Sequence, residues 1–137
     1  MKAYLTKRYG FPASHRLHSE ALSEVENQRV YGKCSNPHGH GHNYALEVTI
    51  SGPVDGRTGM VCNLADLDDC VRREVLEVFD HANLNVLPMF SGVVPTTENL
   101  CMEIYGRLRK GFTPATVERV KLEETAKNSF ACGKELR

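Results

Sequence analysis

The sequence predicts an antiparallel α+β domain with the element order strand, strand, strand, helix, helix, strand, strand. Long segments near both ends of the chain alternate apolar and polar residues, as strands with one buried face do. Two segments in the second half instead carry apolar residues at helical spacing. Strands and helices are therefore grouped along the chain rather than interleaved, which favours an α+β fold.

The strands are predicted from alternation. The first lies in "AYLTKRYGFPASHRL" and the second in "HNYALEVTISG". Their inward faces are predicted to carry Phe11, Ala13, His15 and Leu17, and then His42, Tyr44, Leu46, Val48 and Ile50. "GPVDGRTGM" has the composition of a long hairpin turn leading into a short strand at "MVC". The last two strands lie in "ATVERVKLEET" and "NSFACG", with Val120, Leu122 and Glu124 on one face.

Two helices are predicted. Asn63 is placed to cap a helix over roughly Leu64–Phe79, whose apolar residues recur every three or four positions. A second helix is expected over Thr97–Arg109, with Gly111 past its end. The polar segment Ser19–Lys33 has little apolar periodicity and is predicted to be a connecting loop.

Composition narrows the class of protein. The 137 residues fit one domain, residues 1–137, with 41% hydrophobic and 25% charged residues. Seventeen basic and seventeen acidic side chains balance, so neither a nucleic-acid surface nor a membrane surface is expected. No segment has transmembrane length, and no signal peptide is expected. Five scattered cysteines favour reduced thiols in the cytoplasm over a disulfide framework.

The segment "GKCSNPHGHGHNY" predicts a metal site because it carries three histidines at alternate positions. Alternate residues of a strand point to one face, so either His38 with His40 or His40 with His42 could reach one ion. The second pair lies next to the regular strand, whereas His38 follows a proline in a loop. Among residues elsewhere, His15 is the best third ligand and His18 is a weaker one.

Cys34 lies in the same segment and has two interpretations. As a fourth ligand it would close a tetrahedral structural site of three histidines and one cysteine. As a non-ligand it would leave the metal open to a substrate oxygen and act as a base or nucleophile, its thiolate favoured by the nearby cation. The spacing alone leaves both interpretations open.

Several motifs resemble one family. "FPASHRL", "YGKCSNPHGHGHNY", "TGMVCNLADL", "DHANLN", "PTTENL" and "LEET" occur in the order found in 6-pyruvoyl-tetrahydropterin synthases, and together they span nearly the whole chain. The resemblance implies Zn²⁺ as the cofactor. The zinc ligands that it implies are His15, His40 and His42. The catalytic residues that it implies are Cys34 as the base, Asp80 and His81. The pterin-binding residues that it implies are Glu124, Thr96, Thr97 and Glu98.

Glu124 also has a physical argument of its own. It continues the inward face of Val120 and Leu122, where a carboxylate is costly unless it is paired. A pterin offers a ring N–H and an exocyclic amine side by side, and a carboxylate accepts such a pair of donors bidentately. Glu98 is different, because a carboxylate in the first turn of a helix is favoured by the helix dipole without any ligand.

The resemblance further implies the tunnelling fold, an antiparallel four-stranded sheet with two helices on one face. Subunits of that fold join edge to edge into a barrel, and two trimers stack into a homohexamer with active sites between subunits. The implied reaction converts 7,8-dihydroneopterin triphosphate into 6-pyruvoyl-tetrahydropterin and triphosphate, in the pathway to tetrahydrobiopterin. The protein is expected to be a lyase of this kind.

Two alternatives remain open from the sequence. Where the eukaryotic enzymes typically have asparagine, this chain has His38, so Cys34 followed by His38-Gly39-His40 also resembles the 6-carboxy-tetrahydropterin synthase of the queuosine pathway. The second alternative is a non-enzymatic interaction module in which a closed site of three histidines and Cys34 holds zinc for structural purposes.

Overall fold

The structure, a computed structural model, describes residues 1–134 and contains one five-stranded sheet. Its strands are β1 (Lys2–His15), β2 (His40–Pro53), β3 (Ala82–Asn83), β4 (Thr116–Thr125) and β5 (Asn128–Gly133). They lie in the order β3-β1-β2-β4-β5, and all neighbours are antiparallel except β3, which runs parallel to β1. The α+β class is therefore confirmed, but the sheet is mixed and five-stranded rather than antiparallel and four-stranded. A two-residue strand is too short to show alternation in the sequence.

The β1–β2 hairpin is the centre of the sheet, and its fourteen residue pairs run without a register shift from Lys2↔Pro53 to His15↔His40. The alternation predicted for the second strand is confirmed, because Tyr44, Leu46, Val48 and Ile50 are all buried. They pack with Phe11 of β1, whose ring stacks on Tyr44 at 5.3 Å between centroids. The inward face of this hairpin is consequently rigid up to the residues that carry the histidines.

The first predicted helix is continuous over 64–79 but not uniform. It consists of α2 (Leu64–Val71), a π-helical turn (Arg72–Leu76) and α3 (Glu77–Phe79). Asn63 caps it as predicted, its side chain accepting a hydrogen bond from the amide of Ala65 at 2.9 Å. Of its apolar residues at helical spacing, Leu67, Val71 and Val75 are buried, whereas Leu64 is 36% exposed.

The second predicted helix is α4 (Thr97–Gly111), two residues longer than expected. Thr96 is its N-cap and accepts a hydrogen bond from the amide of Asn99 at 3.1 Å. Leu100, Ile104 and Leu108 are fully buried in the core that the helix shares with the sheet. α4 and the 64–79 helix share one hydrophobic core with the inward faces of β1, β2 and β4.

Two expectations are corrected. The segment Ser19–Lys33 is not a loop throughout, because it contains α1 (Glu24–Tyr31), followed by a 3₁₀ turn (Gly32–Ser35). A capping box between Ser23 and Glu26 starts α1, but Asn27 is its only buried residue, so no apolar periodicity marks the helix.

The second correction concerns "MVC", residues 60–62, which form a bend rather than a strand after β2 ends at Pro53. Val61 lies beside Gly52, where an added Cβ would come within 3.2 Å of the Val61 side chain. Within residues 1–134, no helix combines the length and the apolar composition that a membrane span requires.

Candidate metal centre

Three histidines converge where β1 ends and β2 begins. His15 is the register partner of His40, and Ala13 is the partner of His42, so all three imidazoles project from one face of the hairpin. The Nε2 atoms of His40 and His42 lie 2.9 Å apart. The three ring centroids are 4.6, 4.9 and 5.1 Å from one another. Antiparallel pairing thus brings together residues that are 25 positions apart in the chain.

Cys34 joins this cluster from the 3₁₀ turn. Its Sγ lies 3.4 Å from Nε2 of His40, and the turn is held to the end of β1 by the amide of Leu17, which donates to the Cys34 carbonyl at 2.6 Å. One ligand atom from each of the three histidines and Cys34 lies within 4.8 Å of the others. Burial, and then the negative charge of Glu124, raise the pKa of the Cys34 thiol.

The surroundings of His15 prepare it to bind a metal. It is 1% exposed, and its Nδ1 lies 3.0 Å from the backbone carbonyl of Pro95 and 3.4 Å from the hydroxyl of Tyr44. Because a carbonyl only accepts, Nδ1 carries the proton and Nε2 keeps its lone pair. That Nε2 is buried without a hydrogen-bond partner among the described residues. Burial lowers the pKa of His15, which favours the neutral ligand form.

These donors fit a divalent metal ion. A buried imidazole nitrogen without a partner is costly, and a metal ion in the cluster would satisfy it. Three neutral imidazole nitrogens, with a thiol beside them, suit zinc better than they suit magnesium or calcium, which prefer oxygen ligands. The residues present therefore fit a metal ion bound by His15, His40 and His42.

His38 and His18 lie outside this cluster. His38 is exposed before the start of β2, in a turn where its amide donates to the side-chain oxygen of Asn36 at 3.0 Å. Nε2 of His18 lies 3.5 Å from the carboxylate of Glu20. Of the two histidine pairs that the sequence left open, the structure brings together His40 and His42 with His15.

Glu124 lies beside the cluster on β4. Its carboxylate is 4.0 Å from Nε2 of His42, and its side chain is 14% exposed. The Thr97 hydroxyl donates a hydrogen bond to one carboxylate oxygen, and Nδ2 of Asn128 donates to the other at 3.4 Å. The inward orientation predicted from strand parity is thus observed, together with the partners that a half-buried carboxylate needs.

The remaining predicted pterin residues occupy different positions. Thr97 is 1% exposed, and its hydroxyl contacts the Glu124 carboxylate from the protein interior. Thr96 is the half-buried N-cap of α4. Glu98 is exposed in the first turn of that helix, where the helix dipole accounts for it. Of these three residues, only Thr97 hydrogen-bonds a side chain beside the histidine cluster.

Asp80 and His81 form a pair at the surface. Their side chains are 43% and 79% exposed, and Oδ1 of Asp80 lies 3.0 Å from Nδ1 of His81. His81 has φ of 59°, and its amide donates to the carbonyl of Pro12 at 2.6 Å. Within residues 1–134, no hydrogen bond connects this pair with the histidine cluster.

A cavity of about 760 Å³ opens beside the histidines. Its lining residues come from α1, the 3₁₀ turn and the start of β2, and they are Gln28, Gly32, Lys33, Ser35, Asn36, Pro37, His40 and His42. Gln28 was not identified from the sequence, since α1 was not predicted. The Pro95 carbonyl was also missed, because a backbone acceptor has no residue-type signature. Tyr44 was predicted only as a core residue, although its hydroxyl reaches His15.

The fold and the cluster define an α+β protein with a candidate metal centre at one end of its central hairpin. A family model described as 6-pyruvoyl tetrahydropterin synthase matches residues 4–135. The chain therefore belongs to the 6-pyruvoyl tetrahydropterin synthase family.

Individual relatives agree with this membership. The chain is 47% identical over 126 residues to the 6-pyruvoyl tetrahydrobiopterin synthase of Poecilia reticulata, covering 91% of the chain and 86% of that protein. It is 42% identical over 107 residues to an Archaeoglobus fulgidus protein provisionally named 6-carboxy-5,6,7,8-tetrahydropterin synthase, covering 77% and 84%. The solved structure of Caenorhabditis elegans 6-pyruvoyl tetrahydropterin synthase superposes with a TM-score of 0.92 at 38% identity, covering 98% and 97%.

Proposed function

We propose that this chain is a zinc-dependent lyase that converts 7,8-dihydroneopterin triphosphate into 6-pyruvoyl-tetrahydropterin and triphosphate. The observation that carries the proposal is the convergence of three histidines, a cysteine and an inward glutamate in a member of this family. The family match over nearly the whole chain supports one functional domain, residues 1–137.

His15, His40 and His42 would hold the zinc ion, which when bound stabilises negative charge on substrate oxygens as a Lewis acid. The chain contributes a rigid hairpin that fixes the three imidazoles and a carbonyl, that of Pro95, that orients His15. The cavity beside His40 and His42 is large enough for a pterin-sized ligand.

Cys34 would act as the base that removes a carbon-bound proton next to a side-chain hydroxyl of the substrate. Burial raises the pKa of this thiol, so on its own the site disfavours the thiolate. The positive charges of a bound divalent cation and of a neighbouring protonated histidine would stabilise the Cys34 thiolate and so offset the effect of burial on its pKa. Sγ of Cys34 lies 3.4 Å from Nε2 of His40, which supports a position of the sulfur next to the proposed metal ion.

Glu124 would bind the pterin ring by accepting its paired N–H donors. The hydroxyl of Thr97 donates a hydrogen bond to one carboxylate oxygen of Glu124 and would thereby fix the orientation of that carboxylate towards the pterin ring. Thr97 is thus a positioning residue in this proposal. Thr96 and Glu98 lie at the start of α4, and their role would be limited to lining the substrate pocket at that end of the helix.

Asp80 and His81 would complete the site of a neighbouring subunit in a homohexamer of two stacked trimers. Their exposure, and their lack of a hydrogen bond to the cluster of the same chain within residues 1–134, support this placement. The edge strand β5 supports an edge-to-edge barrel, since an unpaired strand edge favours association. Five free cysteines support a cytoplasmic location.

Product analysis tests the proposed reaction. The purified zinc-loaded protein is incubated with 7,8-dihydroneopterin triphosphate, with and without a reducing system, and the products are identified by mass spectrometry. Release of triphosphate with the 6-pyruvoyl product is expected. Formation of the 6-carboxy product with acetaldehyde would contradict the proposal and favour the queuosine-pathway activity. A Cys34→Ala variant in parallel shows which products depend on the enzyme.

A structural zinc module is the second candidate, favoured by one observation. The Cys34 sulfur lies within 4.8 Å of the histidine ligand atoms, so a closed four-ligand site is sterically accessible. Turnover of the pterin substrate by the wild-type chain would exclude a purely structural role. Zinc binding without turnover would support it.

A further inference from the structure

Cys101 and Cys132 face each other across the contact between α4 and β5. Their sulfur atoms lie 3.7 Å apart, and the Cys132 thiol donates to the backbone carbonyl of Cys101 at 3.4 Å. Within residues 1–134, this is the only pair of cysteines whose sulfur atoms lie within hydrogen-bonding distance of each other. A disulfide needs an approach to about 2.05 Å, so the two sulfur atoms must move closer together for the bond to form.

The strand register explains why the thiols meet. Cys132 is paired with Val120, a fully buried residue, so its side chain points towards the helix layer. On α4, Sγ of Cys101 lies 3.6 Å from the carbonyl of Phe130 and 3.8 Å from that of Val120. Both sulfur atoms are therefore held in the same gap between helix and sheet.

The two thiols differ in access. Cys101 is 2% exposed, whereas Cys132 is half-buried on β5, the last strand in the sheet order. Burial raises the pKa of Cys101 to about 12 and also raises the pKa of Cys132. Cys132 is thus the point at which a reagent enters, and the reaction is slow at neutral pH because little thiolate is present.

We propose that Cys101 and Cys132 form a reversible dithiol–disulfide pair whose co-reactant is a small-molecule disulfide such as oxidised glutathione. The Cys132 thiolate attacks one sulfur of the co-reactant, which forms a mixed disulfide and releases one thiolate. The Cys101 thiolate then attacks the Cys132 sulfur and expels the second. Two protein thiols lose two electrons, the co-reactant gains them, and the two cysteine protons end on the two released thiolates.

The cross-link joins elements that position Glu124. Thr97, four residues before Cys101 on α4, and Asn128, four residues before Cys132 on β5, are the two donors to that carboxylate. The disulfide would close a chain segment in which the cysteines are 31 positions apart. Because it joins surfaces that already pack together, we expect the oxidised form to be more stable, with a Tm higher by about 5–10 °C.

The test uses the full chain. Reduced protein is incubated with oxidised glutathione at about pH 8.5, near the pKa of free thiols, where exchange is faster. It is then mapped by mass spectrometry without reduction. The expected result is a peptide pair linked through Cys101 and Cys132, a raised Tm, and reversal of both by dithiothreitol.

Two variants make the outcome specific. Cys132→Ser should lose the cross-link and the rise in Tm, whereas Cys62→Ser, which removes another half-buried thiol, should keep both. If Cys132→Ser fails to fold, Cys101→Ala provides the same test. A lasting glutathione adduct on Cys132 without a cross-link, a disulfide between two chains, or an unchanged Tm after cross-linking would each overturn the proposal.

Discussion

The Thr97 hydroxyl donates a hydrogen bond to the carboxylate of Glu124, which joins the first turn of α4 to the end of β4 beside the histidine cluster. Thr97 is 1% exposed, so it can influence a ligand only through the side chains that it contacts, and Glu124 is one of them. Two neighbouring threonines therefore have different tasks: Thr96 caps the helix and Thr97 orients the carboxylate.

Replacing Thr97 by Val should weaken substrate binding while leaving the metal in place. Valine keeps the shape of the side chain but removes the donor, so the Glu124 carboxylate loses a buried partner and its fixed orientation. We expect KM to rise about tenfold or more, the cost of one hydrogen bond to a charged group. Steady-state kinetics with zinc content measured in parallel provide the check.

Thr97→Ser is the matched control for that experiment. It restores the hydroxyl and should recover most of the affinity. An unchanged KM in Thr97→Val would mean that Asn128 and substrate contacts suffice to orient Glu124.

The ligand assignment predicts opposite effects for two histidines. His42→Ala should lose stoichiometric metal, because it removes one of three converging nitrogens. His38→Asn should keep it, because His38 is exposed outside the cluster. Metal content after dialysis, measured by atomic emission, distinguishes the two, and the reverse pattern would show that the ligand pair is His38 with His40.

Cys34→Ala tests whether the sulfur is a base or a ligand. If it is a base, zinc should remain bound through the histidines and turnover should fall by about 10²-fold or more, the contribution of one general base. Metal content, turnover and thermal stability are measured on the same preparation. Joint loss of zinc and stability would instead identify Cys34 as a fourth ligand in a structural site.

The success of the sequence-based prediction differed between residues for physical reasons. Strand parity placed His15 and Glu124 inward, because alternation is a strong local signal once one face is buried. Parity could not choose between His38 and His42, since both share the parity of His40. In the structure His42 joins His15 and His40, whereas His38 lies before β2 begins, and that boundary depends on pairing with the distant β1.

Other features of the site left only a weak signal in the sequence or none. Helix α1 is exposed on nearly every side, so the sequence shows its capping box but no apolar stripe. The Pro95 carbonyl that orients His15 is a backbone atom in a loop. The distance of the Asp80–His81 pair from the histidine cluster is set by tertiary packing, which the local sequence pattern does not reveal.

The metal-free protein should lose stability as the pH falls below about 6.5, the pKa of histidine in an unfolded chain. Burial lowers the pKa of His15 and of His42 in the folded state. Between the unfolded and folded pKa values the unfolded state binds more protons, so acidification favours unfolding. The upper end of this window, about 6.5, lies above the range in which most carboxylates titrate.

Thermal melts of chelator-treated protein at several pH values between about 5 and 7.5 measure this effect. His15→Gln, which cannot be protonated, should show a shallower decline in Tm across the same range. Equal slopes for both proteins would mean that His15 does not contribute to the pH dependence. Zinc should reduce the decline in the wild type, because protons and metal compete for the same nitrogens.

The two glycines between the histidines should respond differently to alanine. Gly39 has φ of 70°, and a Cβ there would lie 2.9 Å from the carbonyl oxygen of His15, so Gly39→Ala combines backbone strain with a clash against a ligand residue. We expect it to cost about 2–4 kcal/mol of stability and to weaken metal binding. Denaturant unfolding and zinc titration provide the two measurements.

Gly41→Ala is the internal control, since a Cβ there meets only the carbonyl of Ala13 at 3.6 Å, an ordinary contact. It changes the same type of residue two positions further on, inside β2, but it adds no strain at His15. Stability and zinc affinity should therefore stay close to the wild type. If both variants lost zinc equally, general flexibility of the segment would matter more than the close approach of Gly39 to His15, and the rigid-hairpin account of the metal centre would be wrong.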